Sequence, residues 1–303
     1  MKARALVVAG LVAAAPSLSS LARADEPKVA LDAPAPPTLP ALAHRGLVYT
    51  LEYTAAGIDP GHGAGRAYAW FLHNDLEYPL IPRTLYVGAA HDVVAGAVPG
   101  QGDEFFFGAP EIWTRALWSS GFGLSSGGGF GVVLPAPRSL TTQERTIFET
   151  VRVVRPWDEA YFTDRVVTLR PWVDVRHVWG PFILQFRQGL DVAIVARSLL
   201  KDERRVDYAA RATFYTGYRL TPAVGLGLEV WEVYQITADL ADDKRAAVAI
   251  SPSVRLSLGR VEPAFSLVFP LTTPLRGDAS FYYAARLNVG FEFDVPTLRG
   301  RER

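Results

Sequence analysis

The stretch FILQFRQGLDVAIV, residues 182–195, alternates strictly between two kinds of surface. Phe182, Leu184, Phe186, Leu190, Val192 and Ile194 fall on one set of positions, and Gln185, Arg187, Gly189 and Asp191 on the other. Successive side chains of a β-strand point to opposite faces, so this pattern predicts a strand with one apolar and one charged face. Gln188 is the single polar residue on the apolar side. Residues 122–134, 166–178 and 206–218 repeat the pattern, with glycine and serine, or Arg170, Asp174 and Arg176, or Asp207 and Arg211, opposite the apolar residues.

Further two-faced stretches lie at 223–236, 246–258, 261–271 and 279–293, and weaker ones at 46–56, 65–75, 84–90 and 111–118. Their connections alternate between tight turns and longer loops over most of the chain. A regular alternation, an even strand number and both ends on the short-turn side are the organisation of a membrane-spanning barrel. The expected fold is all-β, a closed antiparallel transmembrane β-barrel of about twelve strands over residues 46–293.

A soluble sandwich also sets an apolar face against a charged one, so the alternation alone does not separate lipid from core. Aromatic placement does. With short turns at the periplasmic side, Tyr208, Tyr234, Phe281 and Tyr283 fall near the outer rim, and Trp179, Phe182, Tyr218, Phe291 and Phe293 near the inner rim. Two aromatic girdles around an aliphatic band suit rings at headgroup depth. No apolar run beyond Arg45 is long enough for a transmembrane helix.

The ends extend the reading. MKARALVVAGLVAAAPSLSSLARA has a basic start, an apolar run and Ala22-Arg23-Ala24, so residues 1–24 are expected to be a secretory signal peptide. Its removal takes away Lys2, Arg4 and Arg23 and no acid, which moves the formal charge from 0 to −3. No basic footprint for nucleic acid remains. Residues 25–45 carry Pro27, Pro34, Pro36, Pro37 and Pro40 and are expected to form a Pro-rich periplasmic lead-in. Residues 294–303, DVPTLRGRER, follow as a short periplasmic tail. With no cysteine, an exported chain of this kind is held by sheet closure rather than by disulfides.

Export signal, Pro-rich lead, two-faced strands and a last strand FYYAARLNVGFEF ending in Phe293 together resemble the outer-membrane β-barrel proteins of Gram-negative bacteria. The glycine-rich stretch 122–134 with its LPAP exit is loosely similar to uncharacterised transporter barrels. The resemblance implies outer-membrane lipid and the barrel-assembly machinery as partners, although the tail after Phe293 departs from the common ending on the terminal aromatic. Pro171, Pro252 and Pro263 fall inside expected strands, where a closed barrel has no free edge, so bulges or shifted boundaries are expected there.

Inside such a barrel the charged faces carry Arg170, Arg176, Arg187, Arg211, Arg255 and Arg286 against Asp174, Asp191, Asp207, Glu229, Glu262 and Glu292. These charges form either a constriction that selects solutes by their field or a salt-bridged lumen. Strand registers place Glu262 diagonal to Arg255 and Arg286, Arg211 diagonal to Glu229, and Asp174 diagonal to Arg187. The stretch 135–164, PAPRSLTTQERTIFETVRVVRPWDEAYFTD, is long enough to be functional, with Thr141 or Thr142 capping a short helix near Glu144. It folds inward as a constriction or stands outward as a lid.

His44, His62, His73, His91 and His177 share no metal-ligand spacing, so neither metal nor cofactor is expected. A hydrolase pairing of Ser125 or Ser126 with His73 joins strands that are not neighbours, and no enzyme activity is expected. The tripeptide Arg276-Gly277-Asp278 is too short a signal to assign an adhesion role. The expected function is passive passage or uptake of small-molecule solutes. The competing expectation is a non-conducting structural or surface-interaction barrel with a salt-bridged lumen.

Overall fold

A computed structural model of the chain describes residues 46–294, apart from 60–66, 99, 101, 136–140, 142–143, 145–146, 148–154, 164, 196–205, 239–244 and 273–280. The signal, the lead-in, the RGD stretch and the tail beyond Asp294 lie outside the described residues. Thirteen strand segments follow in order: β1 Leu47–Asp59, β2 Ala67–Ile81, β3 Leu85–Val98, β4 Gly102–Phe107, β5 Glu111–Gly121, β6 Leu124–Val133, β7 Val166–Trp179, β8 Phe182–Val195, β9 Val206–Arg219, β10 Val224–Gln235, β11 Ala246–Leu256, β12 Val261–Pro270 and β13 Phe281–Phe293. Each pairs antiparallel with its neighbour, and β1 pairs with β13 from Leu47 opposite Phe293 to Asp59 opposite Phe281. That last pairing closes the sheet, and closure removes the two edges an open sheet would expose.

The wall has twelve strand positions because β4 and β5 share one. Val98 pairs with Gly102 and Val93 with Phe107, whereas Ala90 pairs with Glu111, so the strand gains one residue between the two segments. This is a β-bulge. It corrects the long third loop expected between residues 90 and 111: β3 runs on to Val98 and turns directly into β4. The alternation there is hidden because Asp92 faces inward beside His73 while small residues, Ala95, Gly96 and Ala97, fill the rest. Likewise β2 continues to Ile81, past a register shift at Pro79, and meets β3 in a tight turn.

The expected bulges at Pro171, Pro252 and Pro263 do not occur. Pairing of β7 with β8 lapses at 170–171 and resumes in the same register, and that of β11 with β12 lapses at 251–252 and resumes likewise. Pro263 stays in register opposite Val289. In an antiparallel ladder a residue's N–H serves only one of its two neighbours, so a proline forfeits one bond without changing the residue count.

Side chains alternate between lipid and lumen as the pleat requires. Tyr53, Val173, Phe186, Leu228, Phe265 and Leu287 point outward and stay exposed, while Glu52, Arg170, Gln185, Glu229 and Arg286 point inward and are buried. At the inner rim Trp179, Phe182 and Tyr218 form a continuous aromatic row, with ring centroids 5.8 and 5.0 Å apart. Phe293 is exposed at the same level, and Phe291 stacks with Tyr49 at 6.3 Å. Tyr208 and Tyr234 are exposed toward the outer rim. The side chains of Phe281 and Tyr283 lie outside the described residues.

A plugged lumen as the candidate functional site

The connection between β6 and β7 folds inward. Thr141 and Glu144 make a reciprocal pair, in which the Thr141 amide donates to Glu144 Oε2 (2.7 Å) and the Glu144 amide to Thr141 Oγ1 (3.2 Å). This is a capping box, with threonine at the cap and glutamate three residues on. Ile147 in the same segment is fully buried against Ala69, Phe71, Val94 and Phe106 of the wall, in the space left by Gly96. A 3-10 helix, Pro156–Phe162, then crosses the lumen, preceded by Arg155.

This helix is tied to opposite sides of the barrel. Arg155 makes ion pairs with Glu52 of β1 and with Asp158, donates to Thr54 Oγ1 at 3.0 Å, and lies over the Phe71 ring at 4.2 Å. Trp157 meets Trp231 of β10 edge-on at 4.1 Å, and Gln235 donates to Glu159 at 2.8 Å. On the other side, Tyr161 donates its hydroxyl to Glu111 of β5, and Arg170 of β7 donates to the Trp157 carbonyl at 2.9 Å. The bulge contributes too. Ala109, released from the strand ladder, donates its amide to the Tyr161 carbonyl at 2.6 Å. A break in the wall thus becomes a backbone anchor for the plug.

The surroundings fix the protonation of Arg155 and Tyr161. Burial would lower the pKa of Arg155, but the Asp158 and Glu52 carboxylates more than reverse this and keep it charged. Burial, and then the neighbouring Glu111, push the Tyr161 hydroxyl well above its ordinary value, so it remains a neutral donor.

The wall charges divide into groups. Arg170 reaches Glu111 at 3.0 Å and Asp191 at 3.2 Å, and Asp191 also holds Arg211 at 2.8 Å. Arg286 pairs with Glu52 at 2.9 Å and with Glu229 at 3.3 Å. Asp174 and Arg187 lie 2.7 Å apart, and Arg255 and Glu262 2.8 Å apart. Arg115 pairs with Glu77 and stacks over Tyr86 at 4.7 Å. Arg176 is buried with none of its nitrogens hydrogen-bonded among the described residues.

Several expected contacts are corrected. Arg286 does not meet Glu262, because Glu262 stands opposite Gly290 while Arg286 stands opposite Ser266. The loop joining β12 to β13 is a long one, which does not fix register as a tight turn does. Arg211 does not meet Glu229 either: it stands opposite Val233, and Glu229 stands opposite Tyr215. Asp207 and Glu292 are exposed at the strand ends rather than in the lumen. Asp207 accepts from Thr237 Oγ1 at 2.9 Å, and Glu292 from the Gly46 amide at 3.1 Å. His73 lies 2.5 Å from Asp92, with Tyr161 nearby, and its strand is separated from the β6 serines by β3 and β5.

Sequence reasoning missed Glu52, Glu77, Glu111, Arg115, Arg155, Trp157, Asp158 and Tyr161. For Glu52 and Arg115 the signal was present, a charge alternating with apolar residues in a short strand. It also missed that Trp113 and Trp172 turn inward to lie over Gly88 and Gly129, which have no side chain in the way.

The fold and its filled lumen define a class: a closed outer-membrane-type β-barrel with an internal plug. The solved COG4313 outer membrane channel from Pseudomonas putida F1 is similar in fold, with a TM-score of 0.58 and 12% identity over 86% of this chain and 99% of that one. More distant likenesses include the KdgM porin in complex with disordered oligogalacturonate (TM-score 0.44; 9% identity; 80% of this chain, 99% of that one). The β domain of the Bordetella autotransporter BrkA is another (TM-score 0.45; 10% identity; 82% and 99%). No family model and no curated protein matches the chain.

Proposed function

We propose that the chain resides in the outer membrane and passes small solutes through its lumen, with the segment Arg155–Phe162 as the gate. The observation that carries this reading is the plug itself. A barrel stabilised only by its wall has no need of a loop segment bonded to β1, β5, β7 and β10 across the interior. The bonds that hold it are few and of a kind that an incoming polar solute can replace. Similarity in fold to an outer membrane channel supports the reading without setting the solute.

A non-conducting structural barrel is the second reading, favoured by the nearly complete ion pairing around the plug. Planar-bilayer recording separates the two. The passage reading expects small current steps from the wild type and larger ones from a Trp157→Ala, Arg155→Gln double variant, which removes the Trp157–Trp231 contact with β10 and the Arg155 bonds to β1 and leaves the Gln235–Glu159 bond in place. If both proteins are folded by heat-modifiable migration and both are silent, passage is refuted and the structural reading stands.

A further inference from the structure

The half of the lumen nearer the tight turns contains, among the described residues, a cation without a counter-ion. Arg176 on β7 is 2% exposed, and its Nε, Nη1 and Nη2 are enclosed with no hydrogen-bond partner among the described residues. Among the described residues, the ionisable groups that act on it most are Tyr215, Arg255 and Asp174. Neither charge among these pairs with it: Asp174 turns to Arg187, and Arg255 is itself a cation bound to Glu262. Across the ladder from Arg176 stands Gln185, whose Oε1 is likewise enclosed and unbonded, and Gln185 in turn stands opposite Tyr215. Below them Val178, Ile183 and Tyr215 form a buried apolar cluster. The Tyr215 ring lies over Gly217 and Gly227.

An arginine does not escape this position by losing its proton. Left alone, a buried charge of this kind is strongly unfavourable. Water in the lumen would supply acceptors but no charge. A carboxylate supplies both, in the planar two-oxygen geometry that a guanidinium fork matches. One uncompensated cation calls for one negative charge, since Arg255 is already neutralised by Glu262; a phosphate dianion would bring one charge too many.

We infer that Arg176, Gln185 and Tyr215 form a binding site for the carboxylate of a small monoanionic organic solute, whose apolar part packs on Val178 and Ile183. The guanidinium takes the carboxylate, the Gln185 amide and the Tyr215 hydroxyl donate to its outer lone pairs, and the solute enters as the Tyr215 ring swings off its two glycines. This deepens the passage reading by naming a solute class, but binding can be measured without conduction.

The test is calorimetric titration of the purified full-length barrel in detergent with benzoate, at constant ionic strength, against benzyl alcohol as the neutral comparison and inorganic phosphate as the competing anion. Saturable benzoate binding is expected, with no binding of benzyl alcohol. Arg176→Gln should weaken it at least tenfold, and Arg176→Lys should retain part of it. Gln185→Leu should weaken it several-fold, and decides the matter should the Arg176 variants fail to show heat-modifiable folding. The proposal is overturned by absence of benzoate binding to the wild type, by variants that bind as the wild type does, or by phosphate displacing benzoate at equal concentration. A barrel that binds benzoate yet carries no current supports the site and refutes passage; one that conducts without binding refutes the site alone.

Discussion

The two halves of the lumen solve the problem of buried charge differently. Toward the outside, Glu52 serves both Arg155 and Arg286, Glu111 serves Arg170 and Tyr161, and the helix Pro156–Phe162 supplies partners the wall lacks. Toward the tight turns no loop enters among the described residues, and there the wall balances itself. It does so for Arg187 with Asp174 and for Arg255 with Glu262, but not for Arg176. Closure of this barrel therefore comes from the loop rather than from the wall, and an incomplete charge balance is left where the loop does not reach.

The largest expected effect lies in the outer half. Glu52→Gln takes one carboxylate partner from each of two buried guanidiniums at once, leaving Arg155 with Asp158 and Arg286 with Glu229, and breaking a buried pair by removing one partner typically costs about 3–5 kcal/mol. Glu52→Gln combined with Arg155→Gln removes one of these cations but leaves buried Asp158 without its arginine partner, so the double variant should recover little of the loss. The comparison is read from the urea midpoint of the unfolding transition. If the single variant unfolds at the wild-type midpoint, the outer half is not held by ion pairing to β1.

Tyr161→Phe should come next, at about 1–2 kcal/mol, the cost of depriving a buried acceptor of one donor. Glu111 keeps Arg170 in this variant, so the loss is of a hydrogen bond and not of a charge partner. Because the same segment is anchored by Ala109 through backbone, the plug should loosen rather than leave. In bilayers this predicts more frequent openings with unchanged step size, and a change in step size would mean that the helix had been expelled.

How much of this was legible in the chain differs between wall and plug. The wall was legible because a two-residue period survives any single exception: Gln188 on the lipid side and Pro263 within β12 do not hide their strands. Pairing between strands was legible only across tight turns, as for Asp174 and Arg187, which flank the turn between β7 and β8. Across outer loops it failed, as for Glu262 and Arg286. The plug had no period to read. Arg155, Asp158 and Tyr161 acquire their roles from β1 and β5, far away in sequence, and only the Thr141–Glu144 box announced a local structure. The bulge at Ala109 was hidden for a related reason, since its purpose is met by a loop some fifty residues on.

Glu262→Gln tests the inner half and should cost less than about 1 kcal/mol. Its carboxylate is 36% exposed toward the periplasmic mouth, and pairs in contact with water contribute little once solvent screens them. The visible consequence is on ion preference. With the Glu262 charge gone, the net charge beside Arg176 rises by one, and the reversal potential in a salt gradient should move toward anion selectivity. The shift should be larger at low salt, where the screening length is longer. A reversal potential that stays at the wild-type value across that range would separate Arg255 from the conducting path.

The smallest effect on stability, and the one that divides the two halves most sharply, is expected for Arg176→Gln. Removing a partnered charge such as Glu52 deprives two buried guanidiniums of a carboxylate, but Arg176 has no ion-pair partner among the described residues to deprive, so its replacement by a neutral side chain should leave the unfolding midpoint unchanged or slightly raised. Stability forgone at one residue is what a site kept for a ligand shows. The midpoint of Arg176→Gln measured beside that of Glu52→Gln therefore carries the argument by sign. If Arg176→Gln is destabilised by several kcal/mol, the guanidinium has a structural partner, and the two halves of the lumen are balanced by the same rule.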